Sequence, residues 1–417
     1  VPKRIRQAVC CVLLLIVLAT TGCWDRTEIN DLAFVMGSAL DLTEDGKVLG
    51  TFQIALPNAV GIGPSGEQAG GGQQRSVFIV SATGRNVHDL ERKVQEKLSR
   101  RLYKGHRRVI FIGERLAKRG IGDLLDQFSR DPTSRLRTQI LVAKGRQGQE
   151  MLQVQYPFER IPSEAVRELE RTGVGVEVTI RDFLIMASGE GIQPVMAAME
   201  SVSVPDIKGP AGNGGQAGEG QLEERGRQER QTIRLWGMAI FKDFKLAGYL
   251  NDEETRGWMW VTGKLQRGVI TAYVPEGGGN VSVDLTKAER EIKPEINGNR
   301  VKIRLRVEGE GVIHENDTNL DLSEPQNVKI AEKALKKSIE QRVRRAIAKA
   351  QQDYQADIFG FGEQVQRTHP KTWKSLKEQW KQRFPETEVE ILADFSVIRT
   401  GMSGAPLHLQ EKEVKKQ

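Results

Sequence analysis

Apolar positions recur along the chain with two periods, and the order in which those periods alternate outlines a fold. Leu32–Leu42 and Val48–Leu56 are apolar and β-prone, and Glu44-Asp45-Gly46 between them has the composition of a tight turn. Val87, Leu90, Val94, Leu98 and Leu102 then step by three or four residues, the spacing of one helix face. Val109–Ile112 is a short continuous apolar run, as in strands buried on both sides. Leu116, Ile121, Leu124, Leu125 and Phe128 return to helical spacing, weakened by Gly120 and Gly122, and Gln139–Ala143 is a further strand. Such alternation predicts a mixed sheet covered by helices.

The second half of the chain is richer in strand patterns: Ile233–Phe241, Lys245–Leu250, Gly268–Val274, Val281–Leu285 and Val301–Val307. In the last of these, Val301, Ile303, Leu305 and Val307 alternate with Lys302, Arg304 and Arg306, which predicts a half-buried strand with a basic outer face. Ser323-Glu-Pro-Gln326 reads as a capping box with proline in the first helical turn. Val328, Ala331, Leu335, Ile339, Val343, Ala346, Ala350 and Tyr354 then form one continuous stripe along a long amphipathic helix. Trp373, Leu376, Trp380 and Phe384 share one face of a last helix, and Val389, Ile391, Ala393, Phe395 and Val397 alternate as a closing strand.

Three polar breaks divide these patterns. Residues 58–75 are Gly/Gln-rich and read as a long excursion of a hairpin. Residues 205–231 carry clustered glycines and no apolar period, and form the strongest boundary; residues 276–280 are a shorter turn. The expected fold class is α+β, with three mixed α/β domains behind a signal peptide. The expected divisions are a signal peptide at 1–22, an N-terminal domain at 23–204 and a Gly-rich linker or loop at 205–231. A small middle domain at 232–280, a C-terminal domain with the long helix at 281–405 and a charged tail at 406–417 follow.

The N-terminus supplies the first functional reading. Lys3, Arg4 and Arg6 precede an apolar run, Ala8–Ala19, that spans only about 20 Å as a helix, short of a ~30 Å hydrocarbon core. That length fits a signal-peptide apolar segment better than a membrane span. Thr20-Thr21-Gly22-Cys23 then resembles a bacterial lipobox, with Thr20 where leucine is usual. In that reading Cys23 carries diacylglycerol and an N-acyl chain, and enough hydrocarbon enters the bilayer for stable anchoring. Cleavage before Cys23 removes three basic residues and no acidic one, lowering the net charge from +7 to +4.

Composition narrows the remaining chemistry. The three cysteines, Cys10, Cys11 and Cys23, all lie in the first 23 of 417 residues, so a disulfide-stapled scaffold is excluded. With 38% apolar and 28% charged residues and a mean hydropathy of −0.43, the chain is neither a multi-span membrane protein nor wholly disordered. Gly61-Ile-Gly63-Pro64-Ser65-Gly66 matches a dinucleotide-binding pattern literally, but more Gly and Gln follow where a helix should open. The five histidines lack paired metal-ligand spacing, and Gly401-Met-Ser403-Gly404 is not a nucleophile elbow. No catalytic constellation, metal set or cofactor loop is found, and the expectation is a non-enzyme without cofactor. Basic residues at 106–108 and 342–345 lack the interleaved aromatics of a base-stacking platform, so nucleic acid is not an expected partner.

Four blocks of residues carry a resemblance. They are Cys23-Trp-Asp-Arg-Thr-Glu-Ile-Asn-Asp-Leu-Ala-Phe-Val-Met-Gly37, and Arg107-Arg108-Val-Ile-Phe-Ile-Gly113 with Asp131-Pro132 downstream. The third is Gly237-Met-Ala-Ile-Phe-Lys-Asp243 leading to Gly248-Tyr-Leu-Asn-Asp-Glu-Glu-Thr-Arg-Gly-Trp258. The fourth runs from Asp357-Ile-Phe-Gly-Phe-Gly-Glu363 through His369-Pro370, Trp373, Trp380 and Phe384 to Ile398-Arg-Thr-Gly401. In this order they resemble the Ger(x)C spore germination lipoproteins, the C subunits of nutrient germinant receptors. The resemblance implies three mixed α/β domains and lipidation at Cys23. It also implies placement on the outer face of the spore's inner membrane, with integral-membrane A and B subunits as partners. It gives no contact to the 24–31 block or the 360–363 turn, and leaves open whether this subunit itself binds a nutrient. Two other classes share the anchor: a solute-binding lipoprotein of a transporter, with two lobes closing on a cleft, and a cell-wall enzyme.

Overall fold

The computed structural model describes residues 2–8, 27–56, 76–154, 156, 159, 161–171, 175–204, 230–298, 300–401, 404–406, 409–410 and 413–415. Cys23, the 58–75 excursion and most of the 205–231 linker therefore lie outside the described residues. Two sheets organise the rest. The first has nine strands: β1 (Leu32–Leu42), β2 (Val48–Ala55), β3 (Val77–Gly84), β4 (Arg101–Tyr103), β5 (Val109–Gly113), β6 (Gln139–Ala143), β7 (Val195–Val204), β8 (Arg230–Lys242) and β9 (Lys245–Leu250). Their order is β3-β2-β1-β5-β6-β7-β8-β9, with β4 pairing the start of β1. The centre, β1-β5-β6-β7, is parallel and both wings are antiparallel.

A parallel centre needs cover on both faces, and the sequence supplies it. Val109, Phe111, Leu141 and Ala143 point to one face, toward Met151 of α4 (Gly148–Met151) and Val166 of α5 (Pro162–Arg171). Ile110, Ile112, Ile140 and Val142 point to the other. There they meet α1 (Val87–Gln95), α2 (Glu114–Arg119), α3 (Gly122–Arg130) and α6 (Ile180–Ser188). The apolar spacing through Leu102 overstates α1, which stops at Gln95. The Gln95 side chain donates to the Arg100 carbonyl (2.9 Å) and accepts the Leu102 N–H (2.8 Å), turning the chain so that Leu102 joins β4 instead. The expected helix through Phe128 is two helices, broken at Gly120, whose φ of 123° no helix accommodates.

The second sheet is β10-β11-β12-β13, formed by Val269–Val274, Gly279–Asn297, Arg300–Asn316 and Glu388–Arg399. The first three strands are antiparallel, and β13 returns parallel to β12. The long helix α8 (Pro325–Lys349) belongs to that return and buries Ala331, Leu335, Ile339, Val343 and Ala346. Its start is not the expected capping box. Ser323 turns back to Asp321 through a 2.5 Å hydroxyl hydrogen bond, and the N-cap position falls on Glu324. Lys302 and Arg304 face outward as expected and pair with Glu388, Glu390 and Glu295. The last helical stretch is split into α9 (Phe361–Thr368), α10 (Pro370–Leu376) and α11 (Trp380–Arg383), yet Trp373, Leu376, Trp380 and Phe384 are all buried.

Residues 232–280, set apart above as a small middle domain, divide between the two sheets. β8 and β9 complete the first sheet, because Val195–Val204 and Arg230–Lys242 are antiparallel neighbours on either side of the Gly-rich linker. α7 (Asp252–Thr262) packs on α8, and β10 is an edge of the second sheet. Glycine richness marks a long connection in either case, and a single sequence does not distinguish a linker between domains from a loop between paired strands. Among the described residues no helix is long and apolar enough to cross a membrane.

Candidate functional site

The two lobes meet along a seam built from segments far apart in sequence. Past α8, the chain makes a single π turn, Ala350–Tyr354, which ends on Gln355 in the left-handed region (φ 50°). That reversal delivers Asp357, 4% exposed, to the start of α9. The first N–H groups of a helix have no partner within the helix. Asp357 Oδ1 accepts the N–H of Phe361 (3.2 Å), in the first turn of α9, and those of Phe359 (3.0 Å) and Gly360 (3.0 Å) just ahead of it. Its Oδ2 accepts the Gly362 N–H (2.8 Å) and the Trp380 indole N–H (3.0 Å). Burial pushes the carboxyl up to about 6 even against these five donors, so it is an anion at neutral pH.

Around this anion the lobes touch backbone to backbone. The Gln193 N–H, just before β7, donates to the Asp357 carbonyl at 2.6 Å. A Cβ on Gly191 would stand 2.5 Å from Gly362 C, and one on Gly362 would stand 2.7 Å from Gly191 Cα, so neither position has room for a side chain. On the far side of the seam the Tyr354 hydroxyl accepts the Tyr249 N–H (3.0 Å) and donates to the Tyr249 carbonyl (2.9 Å). This occupies backbone groups of β9, an edge strand whose free ladder would otherwise invite pairing. Gly248 beside it lies against the Tyr354 ring, and Trp258 of α7 donates its indole N–H to the Ile358 carbonyl at 2.7 Å.

At the rim the seam opens into a cleft of about 270 Å³ lined by Glu190, Ile192, Asp243, Phe244, Lys377 and Lys381, among others. Charges bridge it: Lys377 reaches Glu190 at 2.9 Å, Lys381 reaches Asp243 at 2.6 Å, and Trp373 donates to Glu190 at 3.3 Å. These cations and carboxylates neutralise one another across the cleft. The Asp243-Phe244 turn that presents one wall has both residues at positive φ, 50° and 62°.

Of the blocks singled out in the sequence, the third and fourth converge here. Asp243, Gly248 and Trp258 come from one, and Asp357, Gly360, Gly362, Trp373 and Trp380 from the other. Gly360, with φ 74°, is the turn residue that sets α9. The second block has a different role. Arg107 is buried with its guanidinium over the Phe128 ring at 5.3 Å, and burial draws it down to about 10, so it stays charged. Lys104 bonds Glu91 at 2.8 Å and Asp131 at 2.5 Å, tying α1 to the loop after α3. Cys23 and residues 24–26 lie outside the described residues, and Thr27 onward leads into β1. The Glu190, Gly191 and Gln193 side of the seam went unmarked in the sequence. Its signal was Gly189-Glu190-Gly191 ahead of the β7 apolar run, a turn composition that does not reveal what it touches.

Residues 25–201 match the family described as "Spore germination protein N-terminal domain", and residues 236–401 match "Spore germination B3/ GerAC like, C-terminal". The chain belongs to the Ger(x)C family of spore germination proteins. The boundary between the two Ger(x)C matches falls at the 205–231 break, so the first sheet takes β8 and β9 from the C-terminal match. Spore germination protein KC of Bacillus subtilis (strain 168) is 29% identical over 418 residues, covering 98% of this chain and 100% of that protein. Spore germination proteins B3 and A3 of the same organism are 25% and 24% identical, covering 94% and 95% of this chain and 98% and 97% of their own lengths. A crystal structure of the GerBC protein shares the fold, with a TM-score of 0.55 at 21% identity over 90% of this chain and 100% of that one.

Proposed function

We propose that this Ger(x)C protein is the C subunit of a spore nutrient germinant receptor. It is anchored through acyl chains on Cys23 to the outer face of the spore's inner membrane and assembled with integral-membrane A and B subunits. The observation that carries this reading is the pair of family matches, which together span both lobes and the seam between them. The lipobox ending at Cys23 supports the anchor. The ion-paired seam suits a rigid two-lobed subunit that acts through its surface, with no chemistry of its own. Deleting the gene should abolish or slow germination on the nutrients that its receptor serves, and restoring the gene should restore the response. Unchanged germination on every nutrient, in a strain with no second receptor of the same specificity, would contradict the proposal. Tight binding of a nutrient by the protein separated from its partners would favour a solute-binding lipoprotein instead.

A further inference from the structure

One end of the first sheet differs from the other in a way that the family assignment does not explain. β1 starts there, β2 ends there, β3 starts there, and β4, β5 and β6 begin beside it. The Arg108 N–H donates to the Met36 carbonyl (2.7 Å) and the Gln139 N–H to the Arg108 carbonyl (2.9 Å), which lock these strand starts together. Four large apolar side chains are exposed at this end: Ile29 (73%), Phe78 (45%), Leu136 (41%) and Leu56 (38%). Four exposed arginines, Arg100, Arg101, Arg135 and Arg137, lie at this end and form no ion pair with any described residue, and the exposed Glu28 and Asp31 flank Ile29. The opposite end, formed by residues 43–47, 84–86 and 144–146, carries no exposed large apolar side chain. An eleven-residue β1, at about 3.3 Å per residue, holds the two ends roughly 33 Å apart.

We infer that the β1–β6 part of this strand-start end, beside the seam that covers the start of β7, rests on the membrane, with Ile29, Leu56, Phe78 and Leu136 at the headgroup boundary and the four arginines among anionic lipid phosphates. The inference rests on the proposed anchoring at Cys23. Five residues lie between Cys23 and Ile29, so the six backbone steps span at most roughly 20 Å even when fully extended. An acylated Cys23 therefore holds this end near the bilayer and leaves the far end out of reach. Exposed apolar side chains with four unpaired arginines against the two carboxylates of Glu28 and Asp31 give this end a basic excess, the composition that an interface with anionic lipid selects. A second copy meeting through this same face, or a neutral protein surface, would leave the arginines short of counter-charge.

The test uses full-length, acylated protein in phosphatidylglycerol vesicles, with single cysteines introduced for spin labelling as Phe78→Cys, Leu136→Cys and, at the far end, Glu44→Cys. A lipid-chelated nickel relaxant should relax labels at 78 and 136 at least about threefold more strongly than the label at 44. Replacing Arg100, Arg101, Arg135 and Arg137 by Gln should weaken that preference, by about fivefold for each arginine in the ratio of facing to non-facing orientations. Phosphatidylcholine vesicles should weaken it without any substitution. Equal relaxation at all three sites, or a stronger effect at 44, in protein whose Cys23 acylation is verified by mass would overturn the orientation alone. Protein that carries no acyl group on Cys23 would overturn the anchor reading and the orientation with it. A preference unchanged by the arginine substitutions on anionic vesicles would remove the electrostatic part.

Discussion

Gly191→Ala is the perturbation that the seam should tolerate least. The added Cβ would lie 2.5 Å from Gly362 C, 2.6 Å from Glu363 N and 2.8 Å from Gly362 Cα, all backbone atoms of the other lobe. Ordinary contact is about 3.5 Å, so the lobes have to separate by about 1 Å. At that displacement the 2.6 Å bond from the Gln193 N–H to Asp357 and the 3.3 Å bond from Trp373 to Glu190 both exceed hydrogen-bond length. Overpacking costs about 1–3 kcal/mol, and the two lost bonds add about 0.5–1.5 kcal/mol each. The expected destabilisation is about 4 kcal/mol, or roughly 8–16 °C in the melting of a lobe of this size. Thermal unfolding by circular dichroism, with amide exchange followed at Gln193, reads both the loss and its location. Gly122→Ala makes the same chemical change where the nearest atom is 3.7 Å away, and should be neutral or stabilising by up to about 1 kcal/mol. If Gly191→Ala melts with the parent and keeps Gln193 protected, the close approach of the lobes is not what holds them together.

Three further outcomes follow from buried polar groups. Asp357 stands at about 6 in the fold against 3.8 in the unfolded chain, so its contribution is full below pH 3.8 and is lost as pH rises through 6. The effect is on the order of 3 kcal/mol across that window, and Asp357→Asn should flatten the corresponding slope in a pH series of urea denaturations. Glu170 is buried with both oxygens lacking a hydrogen-bond partner among the described residues, and burial beside Glu177 raises its carboxyl well above the usual range. Glu170→Gln should therefore raise the denaturation midpoint at pH 7, by an amount that shrinks to nothing below pH 4.5; a variant weaker than the parent at pH 7 would refute this. Tyr354→Phe removes the hydroxyl that serves both Tyr249 backbone groups, and should cost about 1–2 kcal/mol and speed amide exchange at Tyr249.

Elements whose pattern is local were legible before the structure. The β1–β2 hairpin, the buried runs at 109–112 and 139–143 and the closing strand stand where their periods put them, as does the long amphipathic helix up to Lys349, after which the expected stripe through Tyr354 gives way to a π turn. What failed was where two explanations share one pattern. Leu98 and Leu102 keep helical spacing with α1, yet one side chain, Gln95, ends that helix and redirects the chain. Ser323 has the composition of a cap, but Asp321 two residues earlier takes its hydroxyl. Pairing across the Gly-rich linker depends on register between strands that the linker separates, and composition carries no record of register. The seam was half legible. Its glycines and tryptophans stood out as blocks, whereas the role of Asp357, five donors gathered on one carboxylate, depends on a chain reversal at Gln355 that nothing in the residue pattern announces.

The central claim is that this chain is an acylated receptor subunit, and purification from its own membrane tests it most directly. A tagged full-length chain, extracted in mild detergent from spore inner membranes, should carry diacylglycerol and an N-acyl chain on Cys23. It should also elute with two integral-membrane proteins in fixed proportion. A chain that elutes alone, or whose Cys23 is unmodified while the protein remains functional in the spore, would contradict the account.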